Sequence, residues 1–114
     1  MDNHILVVED DAAIREGVRI LLEGEGYIVQ EAEDGYQCLK KVSDDIDLVI
    51  LDIMMPKMNG DEAAKCIRKI NPSIPIVAMS AQSEYSMNQM IMNDSISKPI
   101  DEQKLNHILS KYVS

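Results

Sequence analysis

Residues 47–60 read DLVILDIMMPKMNG, and this stretch decides the fold. It begins with an unbroken apolar, β-branched run that is too short for a helix, which indicates a strand buried on both faces of a parallel sheet. The carboxylate of Asp52 comes where that strand must end. Ligands of open α/β sheets bind in the crevice beyond the carboxyl ends of the strands. Pro56 and Asn59-Gly60 predict a loop, so we expect Asp52 to stand on a rigid strand at a ligand-binding edge.

The composition narrows the class of protein. The chain has 114 residues, 46% of them hydrophobic, and a formal net charge of −9. This length suits one domain over residues 1–114. The acidity argues against direct contact with nucleic acid or an anionic membrane, and no segment has the pattern of a signal peptide or a membrane span. Cys38 and Cys66 fall on apolar positions of predicted helices, so we expect free thiols and a cytoplasmic location.

Strand and helix patterns alternate along the chain. The strands are predicted at residues 4–8, 27–32, in the run that ends at Asp52, and at residues 73–80 and 95–97. The helices are predicted at residues 12–23 with Asp11 as the N-cap, after Asp34-Gly35, at residues 61–70, as a short helix at residues 83–92, and after a cap at Asp101. This alternation predicts an α/β fold with a five-stranded parallel sheet and helices on both faces.

Polar side chains follow the predicted central strands. These are Glu9-Asp10, Asp52, Ser80 and Lys98, and the carboxyl ends of parallel strands lie on the same edge of a sheet. Crowded carboxylates raise one another's pKa unless a cation intervenes, and Mg²⁺ is held by such oxygen ligands. An ammonium and a hydroxyl beside that cation make a site complementary to a phosphoryl group. Asp52 is then the candidate nucleophile, because carboxylates can form acyl phosphates.

Several segments together resemble the receiver domain of two-component response regulators along essentially the whole chain. They are residues 5–11 (ILVVEDD), residues 47–56 with Gly60, residues 78–81 (AMSA) and residues 97–100 (SKPI). The resemblance, to a stand-alone receiver of the size of a chemotaxis regulator, implies a flavodoxin-like, doubly wound sheet with strand order 2-1-3-4-5. It also implies a signalling protein rather than an enzyme, although such domains assist their own phosphorylation and dephosphorylation.

The resemblance also implies roles for individual residues. Asp52 is similar to the phosphoacceptor that takes a phosphoryl group from a histidine kinase. Asp10, Asp52 and the backbone carbonyl of Met54 are similar to the protein ligands of Mg²⁺, with Glu9 acting through water. Lys98, whose peptide bond to Pro99 is cis in this family, and Ser80 are similar to the residues that bind the phosphoryl oxygens. The implied partners are a sensor histidine kinase and an unidentified downstream protein, and we expect a monomer or weak dimer.

Two departures from the family leave an alternative open. The chain between Ser80 and Lys98 is shorter than in most receivers by about one helical turn, which implies a shortened fourth helix. Ser95 stands where receivers carry a switch aromatic residue. Both departures favour a pseudo-receiver, an interaction module that signals without phosphorylation, whereas the intact acid, serine and lysine set favours phosphorylation. A nucleotide- or flavin-binding module or a small phosphatase lacks support, because no glycine-rich phosphate loop follows the first strand.

Overall fold

The sheet is built from five parallel strands. The computed structural model of the protein describes residues 3–55, 57–81 and 87–113. The strands are β1 (His4–Val8), β2 (Ile28–Ala32), β3 (Leu48–Asp52), β4 (Ile76–Ser80) and β5 (Asp94–Ser97). They lie in the order β2-β1-β3-β4-β5, and every neighbouring pair is parallel. The predicted architecture and strand order are therefore confirmed.

The described residues form four helices. They are α1 (Ala12–Gly24), α2 (Gly35–Lys41), α3 (Gly60–Ile70) and α4 (Glu102–Tyr112). Each begins after an aspartate or asparagine whose side chain accepts hydrogen bonds from backbone N–H groups of the first turn, namely Asp11, Asp34, Asn59 and Asp101. These residues are strong N-caps because they satisfy donors that have no partner within the helix. The predicted caps at Asp11 and Asp101 are confirmed.

The core lies on both faces of the sheet. Val49 and Leu51 of β3 pack in the cluster beneath α2 and α3, whereas Leu48 and Ile50 pack in the cluster beneath α1 and α4. Successive side chains of a strand point to opposite faces, so an apolar run is buried on both sides. All five residues of β3 are buried. The strand that ends at Asp52 is therefore the central strand that the sequence predicted.

The connection between β4 and β5 differs from the prediction. The predicted short helix at residues 83–92 is wrong for residues 87–92, which form a turn; residues 82–86 lie outside the described part. The Asn88 side chain accepts a hydrogen bond from the Met90 N–H at 3.0 Å, and such local bonds compete with a helix. Met92 is nevertheless buried, and Met87 and Ile91 pack against the α2–α3 side of the core. The strand before this connection begins at Ile76 rather than at residue 73.

Arg68 of α3 ties this connection to the rest of the fold. Its Nε donates to the Ile91 carbonyl at 3.0 Å, and its Nη2 donates to Asn93 Oδ1 at 2.7 Å. Its Nη1 donates to the Ile74 carbonyl. Asn93 Oδ1 also accepts from the Ile76 N–H at 2.9 Å. One guanidinium therefore joins α3, the start of β4 and the segment before β5.

We predict that Arg68→Ala lowers the free energy of unfolding by about 2 kcal/mol, because it removes charge-assisted hydrogen bonds and leaves part-buried carbonyls without their donor. Urea denaturation measures the change. Lys69→Ala, which truncates the exposed neighbouring residue on the same helix, is the matched control and should stay within about 0.5 kcal/mol of wild type. Equal effects of the two variants would contradict the proposed tie.

Candidate functional site

Four strand ends meet at one edge of the sheet. Glu9 directly follows β1, Asp52 ends β3, Ser80 ends β4 and Lys98 follows β5. Three of these side chains are almost fully buried, with exposed fractions of 0% for Glu9, 1% for Asp52 and 3% for Ser80. The structure thus brings together the residues that the sequence placed at this edge.

The Lys98 ammonium bridges two carboxylates. Its Nζ lies 2.6 Å from Glu9 Oε1 and 3.2 Å from Asp52 Oδ1. The Lys98 backbone N–H donates to the Ser80 carbonyl at 2.8 Å, so the end of β5 is tied to the end of β4. The Lys98–Pro99 peptide bond is cis. The lysine therefore reaches the carboxylates from a backbone position that the sheet determines.

Three carboxylates form an oxygen-rich cluster. Glu9, Asp10 and Asp52 each offer a carboxylate oxygen, and these atoms all lie within 4.8 Å of one another. The Met54 N–H donates to Asp52 Oδ1 at 3.2 Å, so the chain turns beside the cluster. Carboxylate oxygens are the ligands that a hard cation such as Mg²⁺ prefers. The roles of Asp10, Asp52 and the Met54 carbonyl as metal ligands, and of Glu9 through water, stay predictions.

The electrostatics of the cluster fit a bound cation. The pKa of Glu9 is raised from its ordinary value of 4.5 to about 8, chiefly by burial and also by the neighbouring Asp52, while Lys98 opposes the shift. Burial lowers the pKa of Lys98, but its contacts with Glu9 and Asp52 outweigh that effect, and the pKa is raised overall. A divalent ion beside these side chains would favour the charged form of Glu9 and so lower its pKa.

Arg15 is a further residue at this edge that the sequence analysis did not identify. Its Nη1 donates to the Glu9 carbonyl at 2.7 Å, and its Nε lies 3.4 Å from Glu31 Oε1 on β2. The guanidinium therefore links α1 and β2 to the turn that carries the acidic pair. Its position in the sequence could have suggested this contact. Arg15 lies one helical turn after the Asp11 cap, and side chains of a helix point back towards its start.

Gly60 closes the loop that follows Asp52. Its N–H donates to the Ile53 carbonyl at 2.9 Å. A Cβ at this position would lie 2.7 Å from the Asp52 carbonyl oxygen and 2.7 Å from Ile53 Cα, which no side chain tolerates without a backbone shift. Glycine is therefore required for α3 to start this close to the end of β3. Pro56, predicted to lie in this loop, is outside the described residues.

The fold and the site agree with one family of known proteins. The chain belongs to the response regulator receiver domain family, which it matches over residues 5–110. It is 35% identical over 106 residues to the transcriptional regulatory protein CpxR homolog of Haemophilus influenzae, covering 89% of this chain and 46% of that protein. The chain spans less than half the length of the curated relatives that it matches.

Solved structures agree with this family. The response regulator TrrA of Thermotoga maritima, in complex with Mg²⁺ and BeF, has a TM-score of 0.90 and 36% identity, covering 97% of this chain and 99% of that one. The receiver domain of the sensor histidine kinase PA1611 of Pseudomonas aeruginosa has a TM-score of 0.90 and 27% identity, covering 98% of both chains, and holds a magnesium ion in its active site cleft. Among the helices that the described residues form, none has the length and apolar character that a membrane span requires.

We predict that the metal-free protein loses stability as the pH rises from about 5 to about 8. Unfolded Glu9 releases its proton near its ordinary pKa of 4.5, whereas folded Glu9 keeps it up to about 8. The unfolded state therefore binds fewer protons in this range, and stability falls with increasing pH. The raised pKa of Lys98 acts only at alkaline pH, above this range.

Glu9→Gln should remove most of this dependence and be more stable than wild type at pH 8 by at least about 1.4 kcal/mol, the equivalent of one pKa unit. Denaturation in chelator-containing buffer at several pH values measures it. Glu33→Gln, a change at an exposed glutamate, should keep the wild-type slope. A Glu9→Gln slope equal to that of wild type would refute the prediction.

Proposed function

We propose that residues 1–114 form a single cytoplasmic receiver domain that takes a phosphoryl group from a sensor histidine kinase onto Asp52 and passes this state to a partner protein by contact. The observation that carries the proposal is the position of the Asp52 carboxylate. It ends the central strand, contacts the Lys98 ammonium at 3.2 Å, and belongs to a cluster of three carboxylates.

The chemistry follows from the chain's own residues. An oxygen of Asp52 attacks the phosphorus atom, the bond from phosphorus to the donor's imidazole nitrogen breaks, and that nitrogen keeps the electron pair. Lys98 is placed to pair with the transferred phosphoryl oxygens, because its ammonium already lies beside the accepting carboxylate. The buried Ser80 hydroxyl, on the neighbouring strand end, is the candidate donor to another of these oxygens. These groups would assist both the gain and the later hydrolysis of the phosphoryl group.

The acidic cluster supports a magnesium-dependent reaction. Asp10, Asp52 and the Met54 carbonyl would hold Mg²⁺, with Glu9 acting through water. When bound, the ion supplies positive charge that offsets both the carboxylates and the phosphoryl oxygens. The similar structures that contain magnesium add support, since TrrA and the PA1611 receiver were both solved with the ion.

The pseudo-receiver alternative has less support. A module that signals without phosphorylation needs no lysine bridging two buried carboxylates, and burying such charges without a function is costly. Ser95, a residue that favoured the alternative, lies exposed on β5, where its N–H donates to the neighbouring Asp94 Oδ1 at 2.9 Å, and it is not one of the residues of the acidic cluster. The residue at position 95 therefore bears on how the phosphorylated state is passed to a partner, and not on how Asp52 accepts the phosphoryl group.

We predict that Asp52→Asn abolishes the uptake of acid-labile phosphate from acetyl phosphate with Mg²⁺, because the amide cannot serve as the nucleophile. Phosphate-affinity gel electrophoresis measures the uptake. Asp45→Asn, which changes an exposed aspartate before β3, should be phosphorylated like wild type. Phosphorylation of Asp52→Asn at the wild-type rate, or none in wild type, would refute the proposed function.

An apolar groove next to the site supports a protein as the phosphoryl donor. The groove has a volume of about 660 Å³ between α1 and the segment after β5, and its lining includes Ile14, Gly17, Leu21, Lys98, Pro99 and Ile100. Lys98 belongs both to this groove and to the contact with Asp52, so the groove lies next to the carboxylate that a phosphoryl donor must reach. We propose the groove as the contact surface for the kinase.

We predict that Gly17→Glu slows phosphotransfer from a histidine kinase that phosphorylates the wild-type protein by about tenfold, which corresponds to a loss of about 1.4 kcal/mol. A Cβ at Gly17 meets nothing within 4 Å, so the new side chain enters the groove without disturbing the fold. Gly24→Glu is the matched control at the end of α1. Phosphorylation by acetyl phosphate should not change in either variant. Unchanged transfer from the kinase to Gly17→Glu would exclude the groove.

A further inference from the structure

The loop after Asp52 is docked on the start of α2 by a contact with Gly35. We call residues 53–55 and 57–59, the described residues between Asp52 and α3, the acceptor loop. Gly35, the first residue of α2, is buried, and a Cβ there would lie 2.7 Å from Met58 Sδ and 3.0 Å from both Met58 Cβ and Met58 Cγ. The Met58 side chain therefore occupies the space that any larger residue at position 35 would need. Because even the Met58 Cβ is close, a rotation of the side chain alone would not make room.

A second contact holds the same part of the loop. Lys57 Nζ lies 3.7 Å from Asp34 Oδ2, and Asp34 is the cap of α2. Lys57 has a φ of 70°, in the left-handed region that costs an L-residue about 1–2 kcal/mol. The loop thus keeps an unfavourable backbone conformation where it touches α2.

The other end of the acceptor loop lies at the proposed site. The Met54 N–H bonds to Asp52 Oδ1 at 3.2 Å, and the Gly60 N–H closes the loop onto the Ile53 carbonyl at 2.9 Å. Met58 follows Met54 by four residues in the chain. A displacement at Met58 would therefore be passed along the chain toward Met54, whose carbonyl is the proposed metal ligand.

We infer that Gly35 and Met58 form a positioning pair: their contact sets the backbone of Met54 and, through it, the affinity of the site for Mg²⁺. The inference rests on the proposed function, since it concerns the same site. Neither residue is a catalytic residue, because neither belongs to the carboxylate cluster or contacts Lys98. A purely structural role would differ in its effect, lowering the stability of the protein without changing the Mg²⁺ affinity of the folded form.

Gly35→Ala tests the pair. We expect about tenfold weaker Mg²⁺ binding by the folded protein, the size of effect typical of residues that orient metal ligands. An NMR titration with MgCl₂ at a temperature well below unfolding measures the affinity. In the metal-free state, the amide signals of Asp52 and Met54 should already be shifted. Gly24→Ala is the matched control, because a Cβ at Gly24 meets nothing within 4 Å, and it should bind Mg²⁺ like wild type.

Met58→Ala provides the second arm of the test. It should also weaken Mg²⁺ binding, because the loop loses its anchor on α2. The double variant Gly35→Ala with Met58→Ala should lose less affinity than the sum of the two single losses, because the clash with Sδ and Cγ no longer exists and only the 3.0 Å approach to the Met58 Cβ remains. This arm keeps the inference testable even if Gly35→Ala fails to fold.

The outcomes separate this inference from the proposed function. Absence of any Mg²⁺ response in the wild-type protein would refute the proposed site itself. A wild-type response, together with unchanged affinity in Gly35→Ala and Met58→Ala, would overturn the positioning pair and leave the phosphoacceptor proposal intact. Fully additive losses in the double variant would also overturn it, because residues that act through one contact must be coupled.

Discussion

The Lys98 ammonium, held between the carboxylates of Glu9 and Asp52, is the interaction on which the site depends. Such a cluster is a poor means of stabilising a fold. Replacing a buried ion pair by apolar residues is often neutral or stabilising by about 1–4 kcal/mol, whereas removing one partner costs about 3–5 kcal/mol. The raised pKa of Glu9 also shows that the charged cluster is costly, since burial opposes the charge of this carboxylate. The cluster is therefore better explained by the charge of a ligand than by the stability of the chain.

This arrangement depends on the register of the sheet. Val8 pairs with Leu51, so the next residues, Glu9 and Asp52, lie side by side. Ser80 pairs with Ser97, so Lys98 emerges one residue beyond the last pair. A slip of one residue would turn each side chain to the opposite face. The alternation of β3 side chains between two core clusters opposes such a slip, and the apolar packing thereby maintains the polar site.

Much of the fold and of the candidate site could be predicted, because the sequence patterns that indicate them are local. The apolar run before Asp52 indicated the central strand, and aspartates such as Asp11 indicated where helices begin. The interactions that could not be predicted join residues distant in the chain. Arg68 contacts Asn93, 25 residues away, and nothing near Arg68 indicates that partner. The turn at Asn88 was also not predicted. The apolar spacing there suggested a helix, but the Asn88 side chain accepts a hydrogen bond from a backbone N–H and so favours a turn.

The connection before β5 bears on how a change at the site could reach the surface. The resemblance implies that receivers use an aromatic residue at the position of Ser95, and a serine cannot fill that volume. The start of β5 is instead held from two sides, because Arg68 bonds to the Asn93 side chain and Tyr112 of α4 donates to the Asn93 carbonyl at 3.0 Å. The far end of β5 is tied to Ser80 through the Lys98 N–H. Side chains of α3 and α4 thus hold the start of β5 through Asn93, and a backbone hydrogen bond holds its far end on Ser80, so the short strand connects the site to both helices.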